Sequence, residues 1–497
     1  MLASGMQLPV IIQGGMGAGV SGWALARAVS QSGHLGVVAG TALATLCARR
    51  LQSGDEGGHL RRAFSAFPAP EIATRVFDRY FIAGGKSDGV PFTRHSLPSL
   101  KLPQSLLELT VVASFAEVFL AKENHTGLVG LNLLEKIQLP TLPTLFGTML
   151  AGVDYVLMGA GIPRSIPGIL DKLAKREPVE LPLDVAGALP GEKFTTTFDP
   201  AGFEGTDRSD LKRPSFLGIV SSSALATTLA RKCTGRVDGF VIEGQSAGGH
   251  NSPPRGPLQL TPEGEPVYGE RDVPEIDKIR ALGLPFWLAG GYGRPGKLRE
   301  ALELGATGIQ AGTAFAFCEE SGILPGIKEQ AIRSSRTGQT RVFTDPLASP
   351  TGFPIKVLHV PGTLSERRTF EGRKKICDLG YLRRAYRRPD GSVGHRCPGE
   401  PEADFLTKGG SSAETEGRKC VCNGLLATIG LGQTQKTGEE EPALVTAGND
   451  ASLIAEFITP GKHSYSAADV VARLLDDREG ATVNNAHSQE PHVHQTA

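Results

Sequence analysis

The amino-acid sequence predicts a (β/α)8 TIM barrel with insertions and a C-terminal extension. Short apolar strand patterns and amphipathic helix patterns alternate from the start of the chain, as in parallel α/β folds. In addition, two neighbouring strand patterns, at 284–291 and 308–313, both end in glycines and have a helical pattern between them. Such a pair is typical of the phosphate pocket at the carboxyl end of a barrel, because a phosphate needs backbone N–H groups that no Cβ shields.

Eight strand patterns account for the barrel. They cover residues 8–13, 35–39, 128–133, 153–158, 216–220, 237–242, 284–289 and 308–310. A ninth pattern, at 181–185, falls within a predicted insertion at 177–213, and another insertion is predicted at 53–105. We therefore place the barrel within residues 1–360, with the chain after residue 321 expected to wrap the barrel mouth.

Composition limits the class of protein. The chain has 497 residues, of which 40% are hydrophobic, and 52 basic residues balance 52 acidic ones. This balance gives no electrostatic reason to expect a nucleic-acid partner or an anionic membrane. An odd number of cysteines, seven, does not suggest a secreted disulfide framework. Without a long apolar run or a signal-peptide pattern, we expect a soluble cytoplasmic protein.

The amino-acid composition changes in the part of the sequence that follows the predicted barrel. Residues 361–435 are basic and rich in glycine, and they contain Cys377, Cys397, Cys420 and Cys422. Four thiols could bind zinc or an iron–sulfur cluster, but one C-x-C pair without a C-x2-C pair leaves buried free thiols as the favoured alternative. Residues 436–497 are predicted to form a short helix with a capping box, Ser466 and Asp469, followed by a disordered polar tail.

The first glycine-rich segment follows the first strand. Gly17 to Gly22 fit a G-x-G-x-x-G pattern between a strand and a helix, which is the context of a dinucleotide-binding Rossmann fold. However, the second strand ends at Ala39 without an acidic residue for a ribose, and the next acid is Asp55. The glycines suit a barrel equally well, because they let the backbone lie flat against a planar ring.

The second glycine-rich segment contains a histidine. A strand pattern ends at Glu243, and glycines at Gly248 and Gly249 precede His250. Catalytic groups of barrels lie at the carboxyl ends of strands, and a histidine there can act as a general base or as a neutral hydrogen-bond donor. The alternative is a histidine that only stabilises its loop through the backbone.

These segments resemble the nitronate monooxygenase (2-nitropropane dioxygenase) family of FMN-dependent TIM barrels. The resemblance covers residues 9–36, 129–133, 153–163, 237–250 and 285–321. It implies an FMN-dependent oxidoreductase that oxidises an alkyl nitronate, a small-molecule substrate, with O2 to a carbonyl compound and nitrite. It further implies His250 as the catalytic residue. The cofactor-binding residues that it implies are Gly14, Gly15, Met16, Asn132, Glu243, Gly248, Gly249, Gly290, Gly291, Gly312 and Thr313.

The sequence also departs from the family pattern. The family usually has Gln where this chain has Glu243 and Glu where it has Ser246, and a carboxylate facing a flavin would change the electrostatics of the site. One alternative is an FMN- and NAD(P)H-dependent enoyl reductase of fatty-acid or polyketide synthesis, with a carrier protein docked on the first insertion. Another is a non-catalytic scaffold or partner-binding protein. Under each of these alternatives, the sequence leaves open whether the protein forms a homo-oligomer.

Overall fold

A closed barrel of eight parallel strands forms the centre of the protein. The computed structural model describes residues 8–203, 205 and 209–476. The barrel strands, in chain order, are β1 (Ile11–Gln13), β2 (Gly36–Ala39), β3 (Val129–Leu134), β4 (Tyr155–Gly159), β5 (Ser215–Val220), β6 (Gly239–Glu243), β7 (Phe286–Ala289) and β8 (Gly308–Ala311). Their order around the sheet is β1-β8-β7-β6-β5-β4-β3-β2, and a parallel bridge between Ile12 and Leu35 closes it. The predicted (β/α)8 barrel is confirmed, and each strand lies within or beside its predicted segment.

The seam between β1 and β2 depends on one buried side chain. The backbone N–H of Gln13 donates to Leu35 O at 2.9 Å. Its side-chain Oε1 accepts from the N–H of Val37 at 3.0 Å, and its Nε2 donates to Ser21 Oγ at 2.9 Å. The side chain of Gln13 thus takes the place of a backbone hydrogen bond between β1 and β2 at Val37. It also connects the seam to the first glycine-rich loop through Ser21.

Apolar side chains fill the inside of the barrel. They are Ile12, Leu35, Val37, Tyr155, Leu157, Leu217, Val241, Trp287 and Ala289. The indole N–H of Trp287 donates to Pro9 O at 2.7 Å, so the polar atom of this buried ring is satisfied. The barrel is therefore a packed core, and the space for a ligand lies at one end of it.

Helices cover the outside of the barrel. They are Trp23–Gln31, Leu43–Gln52, Gln104–Lys122, Thr141–Leu150, Ile166–Ala174, Ser223–Lys232, Ile276–Arg280, Lys297–Glu303, Thr313–Ala316 and Pro325–Arg336. Helix Gln104–Lys122 is long and apolar enough to cross a membrane, but 78% of its apolar window is buried inside the protein. It packs on Leu43–Gln52 and Thr141–Leu150, as the core helix of a folded domain does.

The two insertions lie outside the barrel. The first contains the 3-10 helix Glu56–Gly58 and helices His59–Ser65 and Pro70–Tyr80. In the second, Val179–Pro182 and Thr195–Phe198 form an antiparallel pair, while Val185–Ala186 pairs with a strand of the extension. The ninth strand pattern of the sequence is therefore placed outside the barrel, as predicted.

The chain after β8 folds over the carboxyl end of the barrel. Its strands are Val342–Asp345, Ile355–Leu358, Arg384–Arg387 and Val393–Arg396. Its later helices are Arg367–Gly372, Glu402–Thr407, Ser412–Thr415, Val421–Thr428, the 3-10 helix Asn449–Phe457 and Ala467–Leu475. Ser466 and Asp469 form the predicted capping box. The predicted disordered tail lies outside the described residues after 476.

The barrel and the extension share one hydrophobic core. Leu444, Val445 and Ile454 of the extension are fully buried in the same cluster as β-strand residues such as Ile11 and Ile309. The segment after residue 436, for which the sequence predicted only a short helix and a tail, therefore contributes to the core. The predicted boundaries at 360 and 435 mark changes of composition and are not gaps in the packing.

Candidate active site

A large cleft opens at the carboxyl end of the barrel strands. Every residue that the sequence analysis assigned to the site lines it, from Gly14 after β1 to Thr313 after β8. The extension forms the rest of its wall. The lining residues from the extension are Tyr381, Leu382, Val421, Cys422, Leu425, Thr446, Ala447 and Asp450. The topology thus brings the predicted residues together, while their individual roles stay predictions.

The first glycine loop is held tightly against β3. A Cβ on Gly15 would stand 2.3 Å from the Cβ of Asn132, so a side chain at position 15 would displace Asn132. The buried Ser21 fixes the loop from behind, because its hydroxyl accepts from Met16 N at 3.0 Å and donates to Gly14 O at 3.1 Å. The place of Asn132 in the cleft therefore depends on glycine at position 15.

The predicted phosphate turns have backbone that favours glycine. Gly290 and Gly291 have φ angles of 79° and 81°, which L side chains rarely adopt. Gly312 and Thr313 follow β8 on the neighbouring strand. These turns leave backbone N–H groups close to the cleft, which is what an anion would need.

An acidic residue of the extension reaches the same turns. Thr313 Oγ1 accepts from the N–H of Gly448 at 2.9 Å and hydrogen-bonds the Asp450 carboxyl group. Burial raises the pKa of Asp450, and the bond to Thr313 opposes that shift. The hydroxyl that the sequence assigned to the phosphate thus already has two partners from the extension.

A second buried carboxyl group lies at the end of β6. Burial raises the pKa of Glu243 to about 7, and no charged partner offsets the shift. A carboxyl group with this pKa is protonated in about half of the molecules at neutral pH. Glu243 can therefore hold and release a proton in the working pH range.

The histidine is held by the chain that follows the barrel. His250 lies in a short strand, Gly249–His250, that pairs antiparallel with Ile355–Leu358. Its Nε2 is 2.6 Å from the Oγ of the fully buried Ser349, which also contacts Thr351 Oγ1 at 2.8 Å. Burial lowers the pKa of His250 to about 4. The imidazole is therefore neutral at neutral pH and is a weak base.

The sequence analysis did not identify three polar residues of the site, which are Gln310, Ser349 and Asp450. Gln310 Oε1 is a buried acceptor without a partner in the described chain, and it lines the cleft. A polar residue in the apolar β8 pattern was a readable signal for it. Ser349 and Asp450 follow no pattern, because irregular segments far along the chain bring Ser349 against His250 and Asp450 to the cleft.

The charge of the cleft is unusual for a site that would take an anion. Among the described residues, its lining includes the carboxyl groups of Glu243 and Asp450 but no lysine or arginine. Elsewhere in the described chain, no group of three or more His, Cys, Asp or Glu side chains is arranged as a ready shell for a metal ion. The cleft is thus suited to neutral, largely apolar groups and to anions that backbone N–H groups bind.

Known proteins match part of the chain. A family model described as nitronate monooxygenase matches residues 201–349. The nitronate monooxygenase of Pseudomonas aeruginosa is 36% identical over 107 residues, which are 21% of this chain and 27% of that protein. A probable nitronate monooxygenase of Bacillus subtilis is 35% identical over 109 residues, or 22% and 29% of the two chains. The chain thus matches less than a third of the length of either relative.

Solved structures match over nearly the whole chain at low similarity. FabK from Thermotoga maritima is 17% identical with a TM-score of 0.46, covering 97% of this chain and 95% of that one. Nitroalkane oxidase from Streptomyces ansochromogenes is 17% identical with a TM-score of 0.43, covering 96% and 98%. Nothing about the reaction follows from these scores.

The family match covers the part of the barrel where the second glycine-rich segment lies. It includes β6, the Gly248-Gly249-His250 block, both phosphate turns and Ser349. Through this segment, the chain is similar to the nitronate monooxygenase family.

Proposed function

We propose that the protein is a cytoplasmic FMN-dependent oxidoreductase that reduces a neutral α,β-unsaturated (enoyl) carbonyl compound with electrons from NAD(P)H. The observation that carries the choice of substrate is the charge of the cleft. No lysine or arginine lines it among the described residues, whereas two buried carboxyl groups do. An anionic substrate would lose its hydration there without gaining a counter-charge, so a neutral one is favoured. The seven free thiols are in keeping with a reducing compartment.

The residues of the cleft fit FMN. The glycine loop at Gly14 and Gly15 offers a flat surface for a ring, and the turns at Gly290 and Gly291 offer N–H groups for a phosphate. The unpaired Oε1 of Gln310 needs a donor, which a flavin ring N–H would supply. When bound, FMN supplies hydride transfer.

His250 is the proposed hydrogen-bond donor to the substrate. If the Ser349 hydroxyl donates to Nε2, the single proton of the neutral ring is on Nδ1, and this is the tautomer that the proposal requires. Nδ1 makes no hydrogen bond within the described chain, and His250 lines the cleft. A donor fixed in this way would polarise a carbonyl oxygen without adding a charge to the site.

Glu243 is the proposed proton source. Reduction of a C=C bond adds one hydride to one carbon and one proton to the other. Among the groups that line the cleft, Glu243 has a pKa of about 7, so it can give up a proton near neutral pH and regain it from solvent. This role would explain a carboxyl group where the family usually has an amide.

Oxidation of an alkyl nitronate is the second candidate, which the family match itself favours. In that reaction O2 is the oxidant, and the products are a carbonyl compound and nitrite. A nitronate is already deprotonated, so it needs no strong base, and the neutral His250 would donate to a nitro oxygen. Its negative charge would have to be met by backbone N–H groups, because no lysine or arginine lines the cleft among the described residues.

The test is the visible absorption spectrum of the purified full chain, before and after addition of NADPH without air. Flavin bands that bleach with NADPH and return with an enoyl thioester support the reductase. Bands that persist with NADPH but bleach with an alkyl nitronate overturn it in favour of the monooxygenase. A chain that refuses added FMN would be a scaffold.

The same assay can address the partners. We propose that a carrier-bound enoyl chain is reduced faster than the free thioester if the first insertion docks a carrier protein.

The His250→Asn variant should bind FMN normally and lose turnover, because the amide lacks the ring geometry. Unchanged turnover with every active substrate would show that His250 is not the donor.

A further inference from the structure

A small polar cavity adjoins the large cleft at Glu243. Its volume is about 30 Å³, which is room for about two water molecules. Among the described residues, Glu243 alone lines both spaces. All but two of the residues around the small cavity have polar side chains, and these are Ser221, Glu243, Gln245, Asn251, Ser252, Arg255, Tyr268 and Asp272. The carboxyl group of Glu243 thus borders the space for a substrate and a separate space for water.

Glu243 has no partner in the described chain. Its carboxyl group makes no hydrogen bond or ion pair there, and burial alone raises its pKa to about 7. Val241 of the same strand points into the apolar interior of the barrel. Glu243 lies two residues further on, on the same face of β6 and at its end. A carboxyl group in this position can exchange its proton only with the contents of the two spaces beside it.

The wall of the small cavity offers hydrogen-bonding groups to water. Asn251 is buried, and its Nδ2 donates to Ala247 O at 3.1 Å. Its Oδ1 is a buried acceptor without a partner in the described chain, and ordered water commonly satisfies such an atom. The hydroxyl of Tyr268 donates to Ser252 O at 3.0 Å, so its oxygen stays available as an acceptor.

A pair of hydroxyl groups leads from the cavity to the surface. The hydroxyl of Ser252 donates to Ser221 Oγ at 2.8 Å, and the proton of Ser221 has no partner in the described chain. Ser252 and Arg255 are exposed, so the cavity opens to solvent on this side. The carboxylate of Asp272 is held at this rim by the backbone N–H groups of Arg255 and Gly269, each at 2.8 Å. Hydroxyl groups accept and donate at once, so this pair can pass a proton between bulk water and water in the cavity.

We propose that Glu243 regains its proton from solvent through this cavity, by way of water held against the Ser221–Ser252 hydroxyl pair, while the cleft is occupied. The proposal rests on the proposed function, in which Glu243 is the proton source. In each cycle the O–H bond of Glu243 breaks as its proton passes to a substrate carbon. The carboxylate then takes a proton from water in the cavity, and bulk water replaces that proton. A ligand in the cleft excludes water from the other side of Glu243, so a separate route lets the proton return before the product leaves.

The test follows the exchange of the Glu243 proton with D2O by rapid-mixing infrared spectroscopy of the full chain. At pH 6 the carboxyl group is mostly protonated, and its carbonyl stretching band shifts on deuteration. The band that is missing in Glu243→Gln identifies the residue. Three states are compared, which are the free chain, the chain with FMN, and the chain with FMN and a saturated acyl thioester. We expect the wild-type exchange rate to be the same in all three.

The variant that closes the small cavity is Ser221→Val. Its added methyl groups fill the space for water, and it lacks the hydroxyl. With the cleft occupied, we expect its exchange to be about tenfold slower than in the wild type, because the proton must wait for a local opening of the fold. Thr228→Val is the matched control. It removes another half-buried hydroxyl, one that bonds Ala224 O at 2.9 Å on the outer helix and lines neither space, so its rate should equal that of the wild type.

Three results would overturn the proposal. A wild-type rate that falls to that of Ser221→Val when the cleft is filled would show that the proton returns through the cleft. Equal rates for wild type and Ser221→Val in every state would show that the cavity carries no proton. A wild type without the Glu243 band at pH 6 would show that Glu243 holds no proton to give. The wild-type comparison stands even if Ser221→Val fails to fold. The flavin spectrum of the same samples, with and without NADPH, shows failure of the proposed function separately.

Discussion

The barrel and the extension build the same cleft by different means. The barrel repeats one unit, so each strand ends at the same rim and delivers its next residues there, as with Gly14, Glu243 and Gly290. The extension has no repeat, and it reaches the rim through short helices and a 3-10 helix, with Tyr381 and Asp450. The comparison shows that topology fixes where a barrel site lies, whereas irregular chain far from the strands sets part of its charge.

The largest effect is expected from forcing the two regions apart where the backbone of the barrel loop meets the backbone of the extension. A Cβ on Gly248 would stand 2.7 Å from the backbone N of Gly448. We expect Gly248→Ala to cost about 3 kcal/mol of unfolding free energy and to weaken FMN binding, because backbone cannot yield as a side chain can. Urea unfolding and FMN titration measure both.

Gly326→Ala is the matched control for that change. Nothing lies within 4 Å of a Cβ at position 326, which is in helix Pro325–Arg336. Its unfolding midpoint should stay the same or rise slightly. If both glycine variants behave alike, the contact between the barrel and the extension is not a tight one.

Sequence patterns predicted the barrel side of the site because strand period and glycine position are local properties. The two patterns at 284–291 and 308–313 together predicted that Gly312 and Thr313 lie beside the turn at Gly290. Ser349 and Asp450 were out of reach, since no periodicity links position 349 to 250 or 450 to 313. The meeting of the four cysteines of the extension around one small cavity was unreadable for the same reason, as it follows from tertiary packing.

The second prediction concerns the residue that orients the histidine. Ser349→Ala removes the hydroxyl 2.6 Å from His250 Nε2 and leaves that buried nitrogen without its partner. We expect kcat to fall about tenfold with little change in FMN affinity, as the loss of an orienting bond is worth roughly 1–2 kcal/mol. Steady-state kinetics on the holoenzyme give the two values separately.

Ser321→Ala separates orientation from general destabilisation. Ser321 is also buried and donates to Ala316 O at 2.5 Å, but it does not contact His250. This variant should lose stability and keep its kcat. Equal losses of kcat in the two serine variants would argue against a positioning role for Ser349.

The third prediction concerns Glu243, which stands where the family usually has glutamine. Glu243 is protonated below its pKa of about 7 and charged above it. If the protonated form supplies the proton, kcat should fall as the pH rises through 7, by about eightfold between pH 6.5 and pH 8. Glu243→Gln should have a lower kcat without this inflection. A wild-type profile that is flat over the same range would exclude Glu243 as the proton source.

The smallest effect is expected where the extension meets the phosphate turns. Asp450 has a raised pKa because it is buried, so its charge develops only as the pH rises above its ordinary range. A charged carboxylate beside Thr313 repels a phosphate, so wild-type FMN affinity should fall with rising pH, and Asp450→Asn should bind FMN about threefold more tightly at pH 8.

Asp469→Asn, at the cap of helix Ala467–Leu475, is a control that should leave FMN affinity unchanged. Fluorescence titration of FMN with the wild type and both variants over a series of pH values measures the difference. Weaker binding by Asp450→Asn would mean that the carboxyl group holds Thr313 in place for the phosphate, and that the extension completes the pocket that the barrel begins.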